Sequence, residues 1–397
     1  MRYRENPKNG DQISQLGFGC LRLPHKGRSI DLPRTAEMVH AAIEGGVNYF
    51  DTAYIYQGSE AALGEILSGG ARARVKLATK LPTFLTRSPS DFDRFFDAQC
   101  ARLRTDYIDY YLMHMLTDIG AFERLRALGL EAWIEAGKRC GRIRNIGFSF
   151  HGALPSFRAL VDAYPWDFCM IQYNYLDEHH QAGTAGLTYA HERGLPVIVM
   201  EPLRGGRLAG GLPKAATCAF RALEPTRSDA EWGLRWVWDH PEVLTVLSGM
   251  STGDQAAENI KVASDARPHG MSEPERAACR SAAAVLHEGL RVLCTGCGYC
   301  MPCPAGVDIP HCFAWYNDSA FVGRSRAIPR YLIAAGVLPK TPSYASLCRR
   351  CGRCEAHCPQ NIPIAAQLAR VARALEPFWV KPAAGLVRRF FLPPEPL

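Results

Sequence analysis

A chain of 397 residues is too long for one ordinary hydrophobic core and suits a large domain followed by a small one. The composition, 47% hydrophobic and 21% charged, is that of a globular protein, and no run reaches the ~18 apolar residues that would span a bilayer. The formal charge of +7 is spread without a basic stripe, which argues against nucleic-acid binding.

The first residues, MRYRENPKNGDQ, have no secretory apolar core, so the expected compartment is the cytoplasm. From Gly17 to about Ala263 short apolar runs alternate with segments of helical period. The strand candidates are Leu16–Gly19, Asn48–Ala53, Val75–Lys80, Tyr107–His114, Arg144–Phe150, Phe168–Asn174, Pro196–Pro202 and Leu244–Met250. The later runs are almost continuously apolar, as strands buried on both faces are. Eight such units in about 250 residues predict an α/β fold, a (β/α)8 TIM barrel. A doubly wound open sheet fits less well, because no G-x-G-x-x-G follows the first strand.

Barrel chemistry sits at the C-terminal ends of strands. There the sequence has Asp51, Lys80 and His114, with Tyr56 five residues after Asp51 in FDTAYIYQGSE. A phenol with a pKa near 10 is a poor acid at neutral pH. A neighbouring ammonium stabilises its anion, a carboxylate keeps that ammonium charged, and an imidazole can hydrogen-bond a substrate oxygen. The set suits polarising a carbonyl and protonating it while hydride arrives at carbon.

A helical segment over Met271–Arg291 leads out of the barrel. The expected domains are therefore residues 1–285, the barrel, and 286–397, a small α-helical ferredoxin-like domain. That second region opens on a comb of cysteines, Cys294, Cys297, Cys300 and Cys303, closed by Pro304. A second comb holds Cys348, Cys351, Cys354 and Cys358, closed by Pro359. The second comb, C-x2-C-x2-C-x3-C-P, is the bacterial-ferredoxin run for [4Fe–4S] clusters, in which the fourth cysteine ligates the other cluster, and the first has the same layout except that two residues rather than three precede Cys303. Two clusters follow, one on Cys294, Cys297, Cys300 and Cys358, the other on Cys348, Cys351, Cys354 and Cys303. Paired zinc sites of four thiolates each fit neither the Cys-Pro endings nor four cysteines per run. Eight bound thiolates (about −8) and two oxidised cores (about +4) would bring the net charge to roughly +3. The seven scattered cysteines read as small buried hydrophobes. The tail FWVKPAAGLVRRFFLPPEPL is aromatic and basic, and suits packing on the barrel or a subunit partner better than membrane contact.

GVNYFDTAYIYQGSE, LATK, DYIDYYLMH, IRNIGFS, IQYNY and LSGMSTGDQAAENI resemble the aldo-keto reductases over roughly residues 12–265, and the whole chain resembles the subgroup with a C-terminal two-[4Fe–4S] domain. The resemblance implies Tyr56 as general acid/base, Asp51 and Lys80 tuning it, and His114 positioning the substrate, a small-molecule carbonyl or alcohol. It implies NADP(H) or NAD(H), with Ser149 and Gln172 near the carboxamide, Met200 and Leu203 beside the nicotinamide, and Gly249, Ser251, Gln255, Glu258 and Asn259 near the adenosine. Three positions depart from the commoner pattern: Phe150 where an Asn follows the serine, Met200 where an aromatic stacks, and Gln255 where basic residues hold a 2′-phosphate.

Hydride carries two electrons and a cluster takes one, so the join between the domains stays open. The clusters could be structural or serve a redox partner protein. They could instead feed or drain the barrel site, or the chain could be a redox-sensing non-enzyme.

Overall fold

The computed structural model describes residues 1–27, 29–339 and 341–391. Eight parallel strands close into a barrel: β1 (Leu16–Gly19), β2 (Tyr49–Asp51), β3 (Lys76–Leu81), β4 (Ile108–Leu116), β5 (Ile143–Phe150), β6 (Phe168–Gln172), β7 (Val197–Met200) and β8 (Val243–Ser248). Each pairs with its neighbours in sequence, and β8 pairs with β1, Val246 opposite Leu16, to shut the sheet. All eight expected strands are present, so the TIM barrel read from the sequence is the fold.

Helices follow the strands in turn: α1 (Leu32–Glu44), α2 (Ser59–Ile66), α3 (Ser90–Leu103), α4 (Ile119–Ala127) with α5 (Leu130–Arg139), α6 (Leu154–Ala163) and α7 (Gly183–Glu192). After β7 come α8 (Lys214–Leu223) and α9 (Asp229–Trp238), and after β8 comes α10 (Gly253–Asp265). The barrel interior is filled by Tyr49, Ala78, Tyr110, Leu112, Phe168, Met170, Ile198, Leu244 and Leu247. Burying such side chains is worth ~1.5–3 kcal/mol each. An antiparallel hairpin, Tyr3–Glu5 with Gln12–Ser14, adds Ile13 to this core beside the strand starts. It closes the N-terminal end and leaves chemistry to the other.

Two helices meet closely where the site is built. A Cβ on Gly64 in α2 would lie 2.2 Å from the Arg102 carbonyl oxygen on α3, so only glycine permits this approach. That contact fixes α2, whose first residue lies three positions after Tyr56.

The chain divides into two compact units, residues 1–210 with 223–279, and residues 211–222 with 280–397. The division falls inside α11 (Glu273–Gly289), slightly before the expected residue 285, and it assigns most of α8 to the C-terminal unit. That unit is helical, as expected. It contains α12 (Ile309–Val322), α13 (Arg324–Tyr331), α14 (Ile364–Leu375) and α15 (Val380–Phe391), with a π-helical stretch Leu332–Val337 continuing α13. Its core joins Phe313, Tyr331, Leu368, Val371 and Val380, and six comb cysteines pack against it. Of the scattered cysteines, Cys20, Cys169, Cys279 and Cys312 are buried as expected, whereas Cys100 is half-buried and Cys140 and Cys218, at the end of α5 and on α8, are exposed. The tail forms α15 within this unit, where Arg388 Nη1 donates to the Pro339 carbonyl at 2.6 Å. Residues 392–397 of that tail lie outside the described residues. Among the described residues no helix is long and apolar enough to cross a membrane.

Candidate functional site

Three adjacent strands bring the expected tetrad together. Asp51 ends β2, Lys80 lies one residue before the end of β3, and His114 lies near the end of β4. Lys80 Nζ donates to Asp51 Oδ1 and to the Thr52 carbonyl (2.7 Å), and both side chains are buried. Tyr56 sits on a tight turn, its N–H donating to the Ala53 carbonyl (3.0 Å) while Ser59 N–H donates to the Tyr56 carbonyl (3.0 Å). The Ser59 hydroxyl donates to the Cys20 carbonyl (2.9 Å) and bonds Thr52 Oγ1 (2.8 Å), tying this turn to β1 and β2. The Lys80 ammonium lies 4.9 Å from the Tyr56 ring centroid. The His114 imidazole stands edge-on to the same ring, 6.1 Å between centroids.

Burial pushes the Asp51 carboxyl up and the Lys80 ammonium down, and each partner opposes the other's shift. Asp51 Oδ2 is buried with no hydrogen-bond partner among the described residues, so Lys80 is the main compensation for the carboxylate. Burial, then Lys80 and then His151, holds His114 well below the usual imidazole range. At neutral pH this imidazole is neutral, with one ring nitrogen able to donate and one to accept.

A buried polar network steadies Lys80 from behind. Gln99 Nε2 donates to the Lys80 carbonyl (3.0 Å) and to Glu60 Oε1 (2.9 Å), and Thr79 Oγ1 also donates to Glu60 Oε1 (2.7 Å). The Tyr111 hydroxyl donates to Gln99 Oε1 (2.8 Å). Sequence reasoning missed these residues, since their partnership depends on register and helix packing.

Further round the rim, Ser149, Gln172 and Met200 lie on β5, β6 and β7, with Met170 opposite Ser149 and Gln172 opposite Met200. Ser149 Oγ accepts from the Met115 N–H (2.8 Å), where β4 bulges and Met115 has φ +58°. The hydroxyl hydrogen of Ser149 is therefore its donor end. Gln172 Nε2 donates to Asp177 Oδ2 (2.8 Å), so the Gln172 carbonyl is its acceptor end. One donor and one acceptor are what a carboxamide requires. Asp177 is itself held by Arg204 Nε (3.0 Å) and Asn174 Nδ2 (3.0 Å), all buried. Phe150 is buried and packs edge-to-face on Phe157 (5.1 Å), in the core where an asparagine is commoner.

The remaining expected positions are largely engaged by the protein. Leu203 crowds Gly233, whose Cβ would meet Leu203 Cδ2 at 2.7 Å, and Gly249 faces the Arg22 side chain. Thr252 caps α10 by accepting from the Gln255 N–H (3.3 Å), and Gln255 Oε1 reaches back to the Ser251 N–H (2.8 Å). This is a capping arrangement that T-x-x-Q could have announced. Glu258 accepts from the Ser228 hydroxyl, and Asn259 Nδ2 donates to Ser248 Oγ (3.0 Å). His151 was also missed. It follows β5, its N–H donates to the Leu116 carbonyl (3.0 Å), and it is buried.

In the C-terminal unit the combs interleave. One cavity is lined by Cys348, Cys351 and Cys354 together with Cys303 of the first comb. Burial pushes the Cys300 thiol up, and Cys297, Cys294 and Cys358 add to that shift, which places these four near one another. Among the described residues no three His, Cys, Asp or Glu side chains close round one point as a single metal ion requires. A cubane takes one thiolate per iron and spreads its ligands wider than a tetrahedral zinc does. The thiols present fit such clusters.

Residues 15–267 match the model of the aldo/keto reductase family, and residues 293–362 match that of a 4Fe-4S dicluster domain. The chain is 30% identical over 281 residues to a 6-dehydroglucose reductase of Novosphingobium aromaticivorans, covering 65% of this chain and 89% of the relative. It is 30% identical over 284 residues to an aldo-keto reductase of Mycobacterium avium, covering 70% and 87%. Among solved structures, the holo form of aldo-keto reductase AKR11C1 from Bacillus halodurans superposes with a TM-score of 0.60 at 27% identity, covering 71% of this chain and 96% of that one.

Proposed function

Since this chain belongs to the aldo/keto reductase family, and is an oxidoreductase of that type with a 4Fe-4S dicluster domain, we propose that its barrel reduces the carbonyl of a small molecule, or oxidises the alcohol, with Tyr56 as general acid/base. The observation that carries this reading is the buried Lys80 ammonium 4.9 Å from the Tyr56 ring, beside a neutral His114. In the reducing direction the Tyr56 hydroxyl gives its proton to the carbonyl oxygen. The Lys80 ammonium stabilises the phenolate left behind, and Asp51 keeps Lys80 charged in a site that burial would otherwise discharge. His114, neutral, donates to the same oxygen and orients it. Running the sequence backwards makes the phenolate a base.

Ser149 and Gln172 would hold the carboxamide of NADP(H) or NAD(H), with Met200 and Leu203 beside the ring and the segment of Gly249, Ser251, Gln255, Glu258 and Asn259 near the adenosine. When bound, the nicotinamide supplies or accepts the hydride. Cys294, Cys297, Cys300 and Cys358 would hold one [4Fe–4S] cluster, and Cys303, Cys348, Cys351 and Cys354 a second, in a cytoplasmic protein. When bound, each cluster exchanges one electron at a time.

Tyr56→Phe tests the assignment. The variant is expected to bind nicotinamide as before and to lose ~10²–10⁴ in the rate of carbonyl reduction, the usual scale of general acid catalysis. Turnover at the wild-type rate would remove Tyr56 from the mechanism.

A further inference from the structure

The two combs share a backbone but not a surface. In each, the N–H two residues after the first cysteine donates to that cysteine's sulfur: Gly296 to Cys294 Sγ (3.4 Å) and Arg350 to Cys348 Sγ (3.4 Å). In each, that donor residue is left-handed, φ +70° at Gly296 and +55° at Arg350. Glycine adopts this conformation freely, whereas an arginine does so against its steric preference. A strained residue held in a rigid turn points to a use for its side chain.

The differences between the combs run one way. Thr295, Gly296 and Tyr299 in the first stand where Arg349, Arg350 and Arg353 stand in the second, so the first comb carries no charge and the second carries three guanidiniums. All three arginines are exposed. None pairs with a carboxylate among the described residues. Glu355, the one acid in that comb, accepts instead from the Ala365 N–H (2.8 Å). Cys351, between the arginines, is exposed, whereas the other seven comb cysteines are half-buried. The cavity that gathers Cys303, Cys348, Cys351 and Cys354 is also lined by Arg349 and Arg350.

We infer that this edge is the electron port of the protein, a docking face for a small acidic one-electron carrier protein. The inference rests on the iron–sulfur reading of the combs. The carrier gives up one electron and the cluster on Cys303, Cys348, Cys351 and Cys354 gains it, or the reverse, with no bond made and no proton moved. Unpaired exposed guanidiniums steer an acidic partner and fix its orientation, raising encounter rates by ~10–10³ at low salt. The exposed Cys351 gives that partner the closest approach to the thiolate shell. The uncharged first comb offers no such attraction.

The test mixes anaerobically reconstituted full-length protein with a reduced acidic ferredoxin in a stopped flow, at several ionic strengths. Reduction by the ferredoxin should slow steeply with salt. Arg349→Gln/Arg353→Gln should lose about tenfold at low salt and flatten the salt dependence. Arg326→Gln/Arg330→Gln removes the same charge from exposed positions on α13 and should leave the rate unchanged. Arg350→Gly restores the residue that the first comb uses and relieves its turn, so it should keep its clusters yet dock more weakly. Surface plasmon resonance with oxidised ferredoxin reads docking without electron transfer. Iron and sulfide content, with the visible spectrum, shows separately whether the clusters load. Loss of loading in the wild type would defeat the iron–sulfur reading itself. Loaded clusters with wild-type rates and salt dependence in Arg350→Gly and the Arg349/Arg353 variant would overturn the port.

Discussion

Lys80→Met should destabilise the barrel in a way that grows with pH. The substitution keeps the bulk of the side chain but leaves Asp51 buried with its counter-charge gone, and Asp51 Oδ2 already has no hydrogen-bond partner among the described residues. Folding then forces the carboxyl to stay protonated. In the unfolded chain the same group ionises above about pH 3.9. The folded state therefore holds a proton that the unfolded state releases, and stability falls by about 1.4 kcal/mol per pH unit until the raised folded pKa is reached. Between pH 5 and pH 7.5 the penalty should deepen by about 3 kcal/mol, reaching the ~3–5 kcal/mol typical of breaking a buried pair. For a domain of this size that is a fall in Tm of roughly 10 °C. Urea denaturation of wild type and variant at both pH values measures it. Asp51→Asn/Lys80→Met removes the stranded charge as well and should recover most of the loss. A Lys80→Met penalty below about 1 kcal/mol at pH 7.5, or one independent of pH, would refute the reasoning.

Two further outcomes are expected. Cys358→Ser and Cys297→Ser should alter the same [4Fe–4S] signal in electron paramagnetic resonance, while Cys303→Ser and Cys351→Ser alter the other; a Cys358→Ser spectrum matching that of Cys351→Ser would rule out the interleaving. Burial, then Lys80 and then His180, holds His151 down to about 4, so below about pH 6.5 the unfolded chain takes up a proton that the folded site refuses. His151 should thus cost up to about 3 kcal/mol of stability as pH drops from 6.5 towards 4, beside the share of His114, and His151→Gln should make that acid limb shallower; an unchanged limb would show that His151 does not contribute to it.

The parts of this molecule that announce themselves in the sequence do so through short-range pattern. The barrel strands are runs such as Phe168–Gln172, apolar on both faces because helices cover the outside and side chains fill the inside. The tetrad could be read because strand ends in a barrel share one rim. Glu60, Gln99 and Tyr111 could not, since they converge only once α2, α3 and β4 are packed. Nor could the Asp177–Arg204 pair, which joins two loops and orients Gln172. Gln255 was legible in a different sense: T-x-x-Q at a helix start carries a capping signal, and in the structure the side chain bonds the backbone of Ser251. The assignment of residues 211–222 to the C-terminal unit has no mark in composition or period, because it is a property of long-range contact.

The interleaving of the combs has a consequence for biosynthesis. The chain emerges from the ribosome in order, and the 44 residues between Cys303 and Cys348 separate the two sets of thiols in time. After the first comb is made, three thiols of one ring and a single thiol of the other exist. Neither ring is complete before Cys354, and one waits for Cys358. Iron delivered to the nascent chain early would meet only partial sets open to wrong metals and to oxidation. On the proposed ligand sets, both clusters would therefore be inserted late, on a nearly finished polypeptide. Closing either ring would bring the two combs together and so prepare the other.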